Sequence, residues 1–183
     1  MRTMRPRLSF ADLERMPEDG RRYELYDGEL SEVPSPIPRH QRVAMNLVEL
    51  LRKYERAAGG LVFVSPLDVV LDEHNVVQPD LVYFLPDRAT ALDLSRPVRI
   101  RPDLAIEVLS PSTEATDRGR KLRLLARFGV PEYWLVESDS EAIEVHVLVR
   151  GSYERAAVRR RDEPLTSPTL PALTFPVARV FEP

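Results

Sequence analysis

The amino-acid sequence predicts an α/β (α+β) fold in which a mixed central β-sheet is flanked by helices. Strand-like and helix-like segments alternate through the middle of the chain, an order typical of such a sheet. Residues 103–110 are so apolar that we expect a central strand covered on both faces. Segments 21–33 and 143–161 have the pattern of an N-terminal and a C-terminal β-hairpin. The length of 183 residues suits a single domain over residues 1–183.

The first half of the chain is expected to contain a hairpin, a helix and several strands. In order, these are a hairpin at 21–33, a helix at 40–58, a strand pair or one long bent strand at 61–72, and a single strand at 76–85. The dipeptide Asp27-Gly28 is a typical hairpin turn, and Gly59-Gly60 ends the helix. Pro66 interrupts the segment at 61–72, because proline cannot donate to a strand ladder.

The second half is expected to complete the sheet and to cover it. In order, the elements are a strand at 103–110, a helix at 117–128, a strand at 132–138, a hairpin at 143–161 and a proline-broken tail. Gly129 ends the helix, with Pro131 just beyond it. The first hairpin strand alternates between apolar and polar residues, which indicates a half-exposed strand, and Gly151-Ser152 forms its turn.

The composition excludes several classes of protein. The chain has no cysteine, so disulfides and thiolate metal sites are excluded. No apolar run reaches the roughly 20 residues that span a bilayer, and the N-terminus has no apolar signal core. We therefore expect a cytoplasmic protein. The net charge of −3 argues against a large DNA-coating surface, but it leaves room for a local basic groove.

Two predicted strands each carry one carboxylate where an apolar residue would be expected. Glu107 lies near the carboxyl end of its strand, just before Ser110, where ligand sites in such sheets gather. Asp80 follows Pro79 at the start of the next apolar run. If the two strands are antiparallel neighbours, the start of one lies beside the end of the other. A pair of carboxylates there suits a hard divalent cation such as Mg²⁺.

Lys121 lies on the apolar side of the helix that follows. Leu124, Leu125 and Phe128 stand three, four and seven residues after it, on the stripe that packs against the sheet. Its aliphatic stem can cover apolar surface while its ammonium reaches the end of the sheet. Lysine is rare in this arginine-rich chain, where Lys53 is the other one. Two acids and a lysine together suit metal-assisted hydrolysis of a phosphodiester.

Each of these residues also has a structural interpretation. Asp117 stands four residues before Lys121, a favourable helix pair without functional meaning. Asp80 can be a turn residue after a proline. Glu107 can form a buried structural ion pair with Lys121.

Other polar residues are weaker candidates. His40 opens the first long helix, where it can contact phosphate or start the helix. Glu24 and Glu29 lie in the N-terminal hairpin, where either can add a carboxylate to the metal site or be an ordinary polar residue. His146 is expected on a surface strand.

Six motifs together resemble the Uma family of restriction-endonuclease-like proteins, within the PD-(D/E)XK nuclease superfamily. They are YELYDGEL, RHQRVAMNL, SPLDVVL, VVQPDLVYF, PDLAIEVLSPST and DRGRKLRLLARFGVPEYWLV. The resemblance covers most of the chain, and it implies a restriction-endonuclease-like mixed sheet flanked by helices.

The resemblance also implies a catalytic set. A divalent metal would be held by Asp80 and Glu107. This metal would be Mg²⁺, with Mn²⁺ as an alternative. Most of the superfamily has lysine two residues after the second acid, where this chain has Leu109. In the Uma family the lysine has moved to the following helix, where it matches Lys121. Glu29 and His40 match positions that the family fills similarly, so they are secondary candidates.

The leading hypothesis is an Mg²⁺-dependent endonuclease that hydrolyses DNA, with a homodimer as the natural way to cut two strands. An alternative is an inactive nucleic-acid-binding or dimerisation module, in which arginines of the second helix bind nucleic acid. These are Arg118, Arg120, Arg123 and Arg127. A weaker alternative is a metal-dependent phosphohydrolase that acts on small substrates. Neither an organic cofactor nor a membrane is expected.

Overall fold

The computed structural model describes residues 7–183, in which strands and helices alternate along most of the chain. The strands are β1 (Arg22–Tyr26), β2 (Glu29–Val33), β3 (Leu61–Val64), β4 (Val69–Asp72), β5 (Asn75–Val77), β6 (Leu81–Phe84), β7 (Leu104–Val108), β8 (Glu132–Glu137), β9 (Ala142–Val149), β10 (Ser152–Arg160), β11 (Pro164–Thr166) and β12 (Thr174–Pro176). The helices are α1 (Phe10–Glu14), α2 (Pro38–Ala58), α3 (Pro86–Ala89), α4 (Glu114–Thr116) and α5 (Leu122–Arg127), with a π-helical segment (Asp117–Lys121) between α4 and α5 and a 3₁₀ helix (Val177–Val180) near the end.

A six-stranded sheet in the order β10-β9-β8-β7-β6-β3 forms the centre of the fold. β7 and β8 are parallel, and the other neighbouring strands of this sheet are antiparallel. Helices pack on both faces, with α2 on one face and α5 on the other. This mixed sheet flanked by helices confirms the predicted fold class.

β7 is the buried central strand that the sequence predicts. All of its residues are buried, and its side chains alternate between the two faces of the sheet. Ile106 packs in the same apolar cluster as Leu47 of α2, whereas Ala105 packs in the cluster that contains Leu125 of α5. Glu107 stands two residues after Ala105, so it shares the face that α5 covers.

A second sheet, in the order β2-β1-β5-β4, adjoins the first. The prediction of a single strand at 76–85 is wrong, because β5 and β6 belong to different sheets. Pro79 lies between them, and a proline has no N–H with which to continue a ladder. β3 and β4 likewise fall in different sheets on either side of Pro66. The chain therefore crosses between sheets at Asp80, next to the start of β6.

The two predicted hairpins are confirmed. β1 and β2 pair around a turn in which Asp27 and Gly28 have φ values of 52° and 81°. β9 and β10 pair around Arg150 and Gly151, with φ values of 50° and 86°, one residue earlier than the predicted turn. Positive φ at both central residues is typical of a tight turn whose twist matches the strands.

Helix α2 begins at Pro38, two residues before the predicted start, because proline suits the first helical turn. It ends at Ala58, and Gly59 follows with a φ of 79°, as the Gly-Gly pair predicts. No helix within residues 7–183 is long and apolar enough to cross a membrane.

The predicted helix at 117–128 is observed as three joined parts that begin earlier, at Glu114. α4 leads into the π-helical segment, and α5 then ends near Gly129, whose φ is 76°. Asp117 and Lys121 are the buried residues of the π-helical segment. Single π-helical turns inside α-helices often occur at functional sites.

Candidate active site

Strands β6 and β7 place Asp80 and Glu107 at the same end of the central sheet. The strands are antiparallel with Leu81 opposite Ile106, so Asp80 directly precedes one residue of this pair and Glu107 follows the other. Oδ2 of Asp80 accepts a hydrogen bond of 2.8 Å from the backbone nitrogen of Val108. The structure therefore brings the two predicted acids together.

Lys121 reaches the same place from the helix. Its Nζ donates a hydrogen bond of 2.7 Å to Oε1 of Glu107, and both side chains are almost fully buried. The same Nζ lies 2.9 Å from Oε1 of Glu24 and 3.5 Å from Oδ1 of Asp117. We call Glu24, Glu107 and Asp117 the acid cluster.

Two members of the acid cluster come from unexpected places. Glu24 lies in β1 of the second sheet, and its carboxylate accepts hydrogen bonds of 2.8 Å from the Tyr26 hydroxyl and from the backbone nitrogen of Gln78. From the sequence, Glu24 is a hairpin residue that either adds a carboxylate to the metal site or is an ordinary polar residue. Asp117 was interpreted as half of a simple helix pair with Lys121, but its side chain is 2% exposed. The spacing of four residues between Asp117 and Lys121 indicates that the two side chains are neighbours. It does not indicate that both are buried, as they are in the π-helical segment.

The two secondary candidates lie in different places. Nε2 of His40, in α2, lies 2.9 Å from Oδ2 of Asp80. Burial opposes protonation of His40, but the hydrogen bond to Asp80 and the negative charge of that carboxylate together outweigh burial and raise the pKa of the imidazole. Glu29 is exposed on β2 and pairs with Arg120 at 3.2 Å, outside the residues around the acid cluster.

A cavity of about 220 Å³ opens over these side chains. Its polar lining includes the acids Glu24, Asp80, Glu107 and Asp117, the basic residues Arg22, His40 and Lys121, and the hydroxyl residues Ser110, Ser112 and Thr113. Acids on the floor of a small cavity can bind a cation, and the bases and hydroxyls around them can bind an anion that accompanies it.

Burial controls the ionisation of two acids of the cluster, Glu107 and Asp117. It raises the pKa of Glu107 well above the usual range, and the other acids nearby add to this shift against the charge of Lys121. Burial also raises the pKa of Asp117. Burial alone would lower the pKa of Lys121, but the surrounding acids, Glu107 first, raise it well above 10.5. Lys121 therefore stays charged, and one ammonium faces more carboxylates than it can balance.

Two buried oxygen atoms beside the cluster accept no hydrogen bond from the described residues. They are Oδ2 of Asp117 and Oε1 of Gln78. No group of three or more His, Asp or Glu side chains within residues 7–183 is arranged to hold a metal ion. Mg²⁺ commonly uses one or two carboxylates and keeps several waters, so Asp80 and Glu107 alone fit the small donor set that such an ion accepts.

The arginines of the π-helical segment and α5, which the sequence offered as nucleic-acid ligands, mostly form ion pairs with acids. The ion pairs are Arg118 with Glu114 and Glu144 at 2.7 Å each, Arg120 with Glu29 at 3.2 Å, and Arg127 with Asp27 at 2.7 Å. Arg120 also stacks on the ring of Tyr26. These contacts anchor the helix to the strands, which weakens the alternative in which the same arginines bind nucleic acid.

The fold and its acid-lined cavity define a restriction-endonuclease-like protein. A solved structure with the same architecture is the "putative nuclease belonging to DUF820" from Anabaena variabilis ATCC 29413. The two structures superpose with a TM-score of 0.78 over 95% of this chain and 97% of that chain. Their sequences are 19% identical, so this likeness concerns the fold.

The chain belongs to the Uma2 family, whose model, described as "Putative restriction endonuclease", matches residues 10–178. This confirms the resemblance found in the sequence motifs. The chain is also 29% identical over 127 residues to "Uncharacterized protein slr1290" from Synechocystis sp. (strain ATCC 27184 / PCC 6803 / Kazusa). That match covers 68% of this chain and 65% of the relative, just under two thirds of its length.

Proposed function

We propose that this chain is a metal-dependent nuclease that hydrolyses phosphodiester bonds in DNA. The observation that carries the proposal is the excess of carboxylates around the single ammonium of Lys121. A structural ion pair between Glu107 and Lys121 needs one acid, and every further buried acid raises the cost of folding. A divalent cation offsets that cost, so the arrangement supports a metal site.

Asp80 and Glu107 are the proposed ligands of Mg²⁺, with Mn²⁺ as a substitute. Carboxylates, amide oxygens and waters suit both ions. Gln78 and Asp117, which line the same cavity, each have a buried oxygen atom that accepts no hydrogen bond from the described residues. When bound, such an ion polarises the phosphate and makes a water molecule acidic enough to attack near neutral pH.

Lys121 and His40 have different roles in the proposed site: Lys121 acts on the phosphate and the water, and His40 orients Asp80. The charged ammonium of Lys121 stabilises the negative charge that grows on the phosphate oxygens, and it donates a hydrogen bond to the attacking water. His40 and the backbone nitrogen of Val108 both bind Oδ2 of Asp80, at 2.9 and 2.8 Å. These two contacts fix the orientation of that carboxylate before substrate arrives.

The size of the cavity supports a polymeric substrate. Its volume of about 220 Å³ is smaller than the roughly 300–1,000 Å³ of pockets that enclose a small ligand. It therefore suits a phosphate group whose sugars and bases remain outside, which favours a nucleic acid over a free nucleotide. The description of the family as a restriction endonuclease favours DNA. Two strands require two cuts, so we also propose a homodimer.

The test is a cleavage assay on plasmid and single-stranded DNA in Mg²⁺, Mn²⁺ or EDTA. We expect wild-type protein to cut in either metal and not in EDTA. Asp80→Asn and Glu107→Gln should each lose cleavage by roughly 100-fold or more, because each removes a proposed ligand of the ion that activates the attacking water. Glu29→Gln is the matched control, because it removes the same charge from an exposed acid outside the cavity.

Calorimetry with Mn²⁺ completes the test. Asp80→Asn should abolish ion binding, and circular dichroism should show an unchanged fold. Full cleavage by Asp80→Asn in Mg²⁺ would overturn the proposal. Salt-sensitive DNA binding without ion binding would support the inactive module instead. Hydrolysis of nucleotides alone would support the small-substrate phosphohydrolase.

A further inference from the structure

Arg22 is the arginine that lines the site cavity, and it differs from Lys121 in its partners. Lys121 is surrounded by the acid cluster, whereas Arg22 forms no ion pair with any of residues 7–183. Its guanidinium donates instead to neutral oxygen atoms, with Nη1 2.8 Å from the Ser65 hydroxyl and Nη2 3.1 Å from the backbone oxygen of Pro34. The positive charge of Arg22 is therefore not balanced by a carboxylate.

The sequence places this charge beside the proposed metal ligands. Arg22 and Glu24 stand two residues apart on β1, so their side chains share one face of the strand. β1 thus supplies both an acid to the cluster and a cation to the same cavity. Ser65, which holds the guanidinium, donates its backbone N–H to the backbone oxygen of Asp80 at 2.9 Å. The contact fixes Arg22 next to the strand that carries Asp80.

Resting on the nuclease function proposed above, we propose that Arg22 binds the DNA phosphate that enters the cavity, by donating to its nonbridging oxygens. An acidic cavity repels a phosphodiester unless cations offset the acids, and in the metal-free site the charge of Lys121 is engaged by the acid cluster. Arginine carries five N–H donors in a planar fork that matches two phosphate oxygens. The contacts to Ser65 and Pro34 use only part of that fork and leave the rest for phosphate.

The test compares Arg22→Gln with Arg21→Gln. Arg21 is the adjacent residue, it is exposed, and it pairs with Asp19 and Glu32 outside the acid cluster, so its substitution removes the same charge. Binding of a short fluorescent DNA duplex is measured in EDTA across a series of salt concentrations. Arg22→Gln should weaken binding roughly 10- to 100-fold, as expected for a lost charge-assisted hydrogen bond.

The salt dependence separates a phosphate contact from a structural role. Arg22→Gln should make the slope of log affinity against log salt shallower by about 1, and Arg21→Gln should leave it unchanged. Ser65→Ala keeps the charge but frees the guanidinium, so affinity should fall severalfold with an unchanged slope. Arg22→Lys should keep the slope and recover part of the affinity, and it remains informative if Arg22→Gln does not fold.

Kinetics in Mg²⁺ give a second readout. Arg22→Gln should raise KM for DNA more than it lowers kcat, relative to Arg21→Gln. If the two variants bind and cleave alike, the proposal for Arg22 is overturned while the nuclease function stands. If wild-type protein binds DNA with an Arg22-dependent slope but never cleaves it, the phosphate contact stands and the nuclease function fails. Absence of both binding and cleavage overturns both.

Discussion

The carboxylate of Asp80 accepts a hydrogen bond from the backbone nitrogen of Val108, the residue that follows Glu107. This bond joins β6 to β7 at the site itself, so the position of one acid depends directly on the strand that carries the other. His40 binds the same carboxylate oxygen from α2. Three elements therefore fix Asp80, which limits the movement needed when an ion binds.

Substitution of Lys121 by methionine should destabilise the metal-free protein. Methionine fills the space of the lysine stem, but it leaves Glu24, Glu107 and Asp117 buried without a cation. Breaking a buried ion pair in this way costs about 3–5 kcal/mol. Urea denaturation in EDTA measures the free energy of unfolding. Lys53→Met, at the other lysine of the chain and on an exposed face of α2, should change it by less than about 0.5 kcal/mol.

Mn²⁺ should restore part of the stability that Lys121→Met loses, because a bound cation replaces the missing charge. The increase in melting temperature with Mn²⁺ should be larger for this variant than for wild-type protein. Equal stability of the variant and wild type in EDTA would mean that the acid cluster is held neutral by protons, and the prediction would be wrong.

Asp117→Asn should stabilise the metal-free protein at neutral pH. Burial raises the pKa of Asp117 above its ordinary value of 3.8, so its contribution to stability is complete below that pH and is lost as pH rises through the folded pKa. Asparagine has no proton to lose in this range, so it gains no buried charge as the pH rises. We expect a gain of roughly 0.5–2 kcal/mol at pH 7, in the range of common stabilising substitutions, and a smaller gain at pH 4.

Thermal melts in EDTA at pH 4 and pH 7 measure that difference, and Asp139→Asn, at an exposed acid, is the control. The same Asp117→Asn variant should bind Mn²⁺ more weakly, because it loses a carboxylate beside the proposed ligands. A gain in stability that is equal at both pH values would contradict the titration of Asp117 as its source.

Asp80, Glu107 and Lys121 could be singled out from the sequence because each one breaks a local pattern. An acid inside an apolar strand and a lysine on an apolar helix stripe are visible from neighbours in sequence alone. The sequence predicts that Asp80 lies near Glu107 if their strands are antiparallel neighbours, and β6 and β7 meet that condition. The catalytic roles of these residues stay predictions.

The site residues that the sequence does not reveal are those whose positions depend on tertiary structure. Glu24 lies in the second sheet, and no local pattern in β1 indicates that this sheet meets the end of the first. Asp117 turns inward because the helix widens into a π-helical segment, which regular helical spacing does not predict. The crossing of the chain between the two sheets at Pro79 and Asp80 is also hidden in the sequence. The apolar runs on either side of it together resemble one continuous strand.

Glu132→Gln should loosen the C-terminal segment. Glu132 is fully buried in β8, and its Oε2 accepts hydrogen bonds of 2.8 Å from the Ser167 hydroxyl and from the backbone nitrogen of Thr169. Oε1 accepts a further hydrogen bond of 2.5 Å from Nε1 of Trp134, so these donors use both oxygens. Glutamine has one oxygen and one N–H₂ group, so at least one buried donor loses its partner at a cost of about 1–3 kcal/mol. Hydrogen exchange should then become faster across residues 164–177 and stay unchanged in β7. Uniformly faster exchange would instead indicate global destabilisation.

Stability should fall as the pH decreases below about 6.5, the ordinary pKa of histidine, because of His146. The sequence suggested a surface position, but His146 is buried on β9, with its ring close to Tyr133 and Tyr153. Burial lowers the pKa of His146 despite the nearby carboxylate of Glu144. Its contribution to stability is therefore present above the unfolded pKa and is lost as pH falls through the folded pKa.

Urea denaturation of wild type and His146→Gln between pH 5 and pH 8 isolates this residue, because the other titrating groups are common to both proteins. The difference between the two free energies of unfolding should be constant above pH 7. Below pH 6.5 it should shift against wild type by up to about 1.4 kcal/mol per pH unit. Parallel curves across the whole range would mean that His146 takes up a proton equally well in the folded chain. In that case the ring would have to reach water, against its buried position beside the two tyrosines.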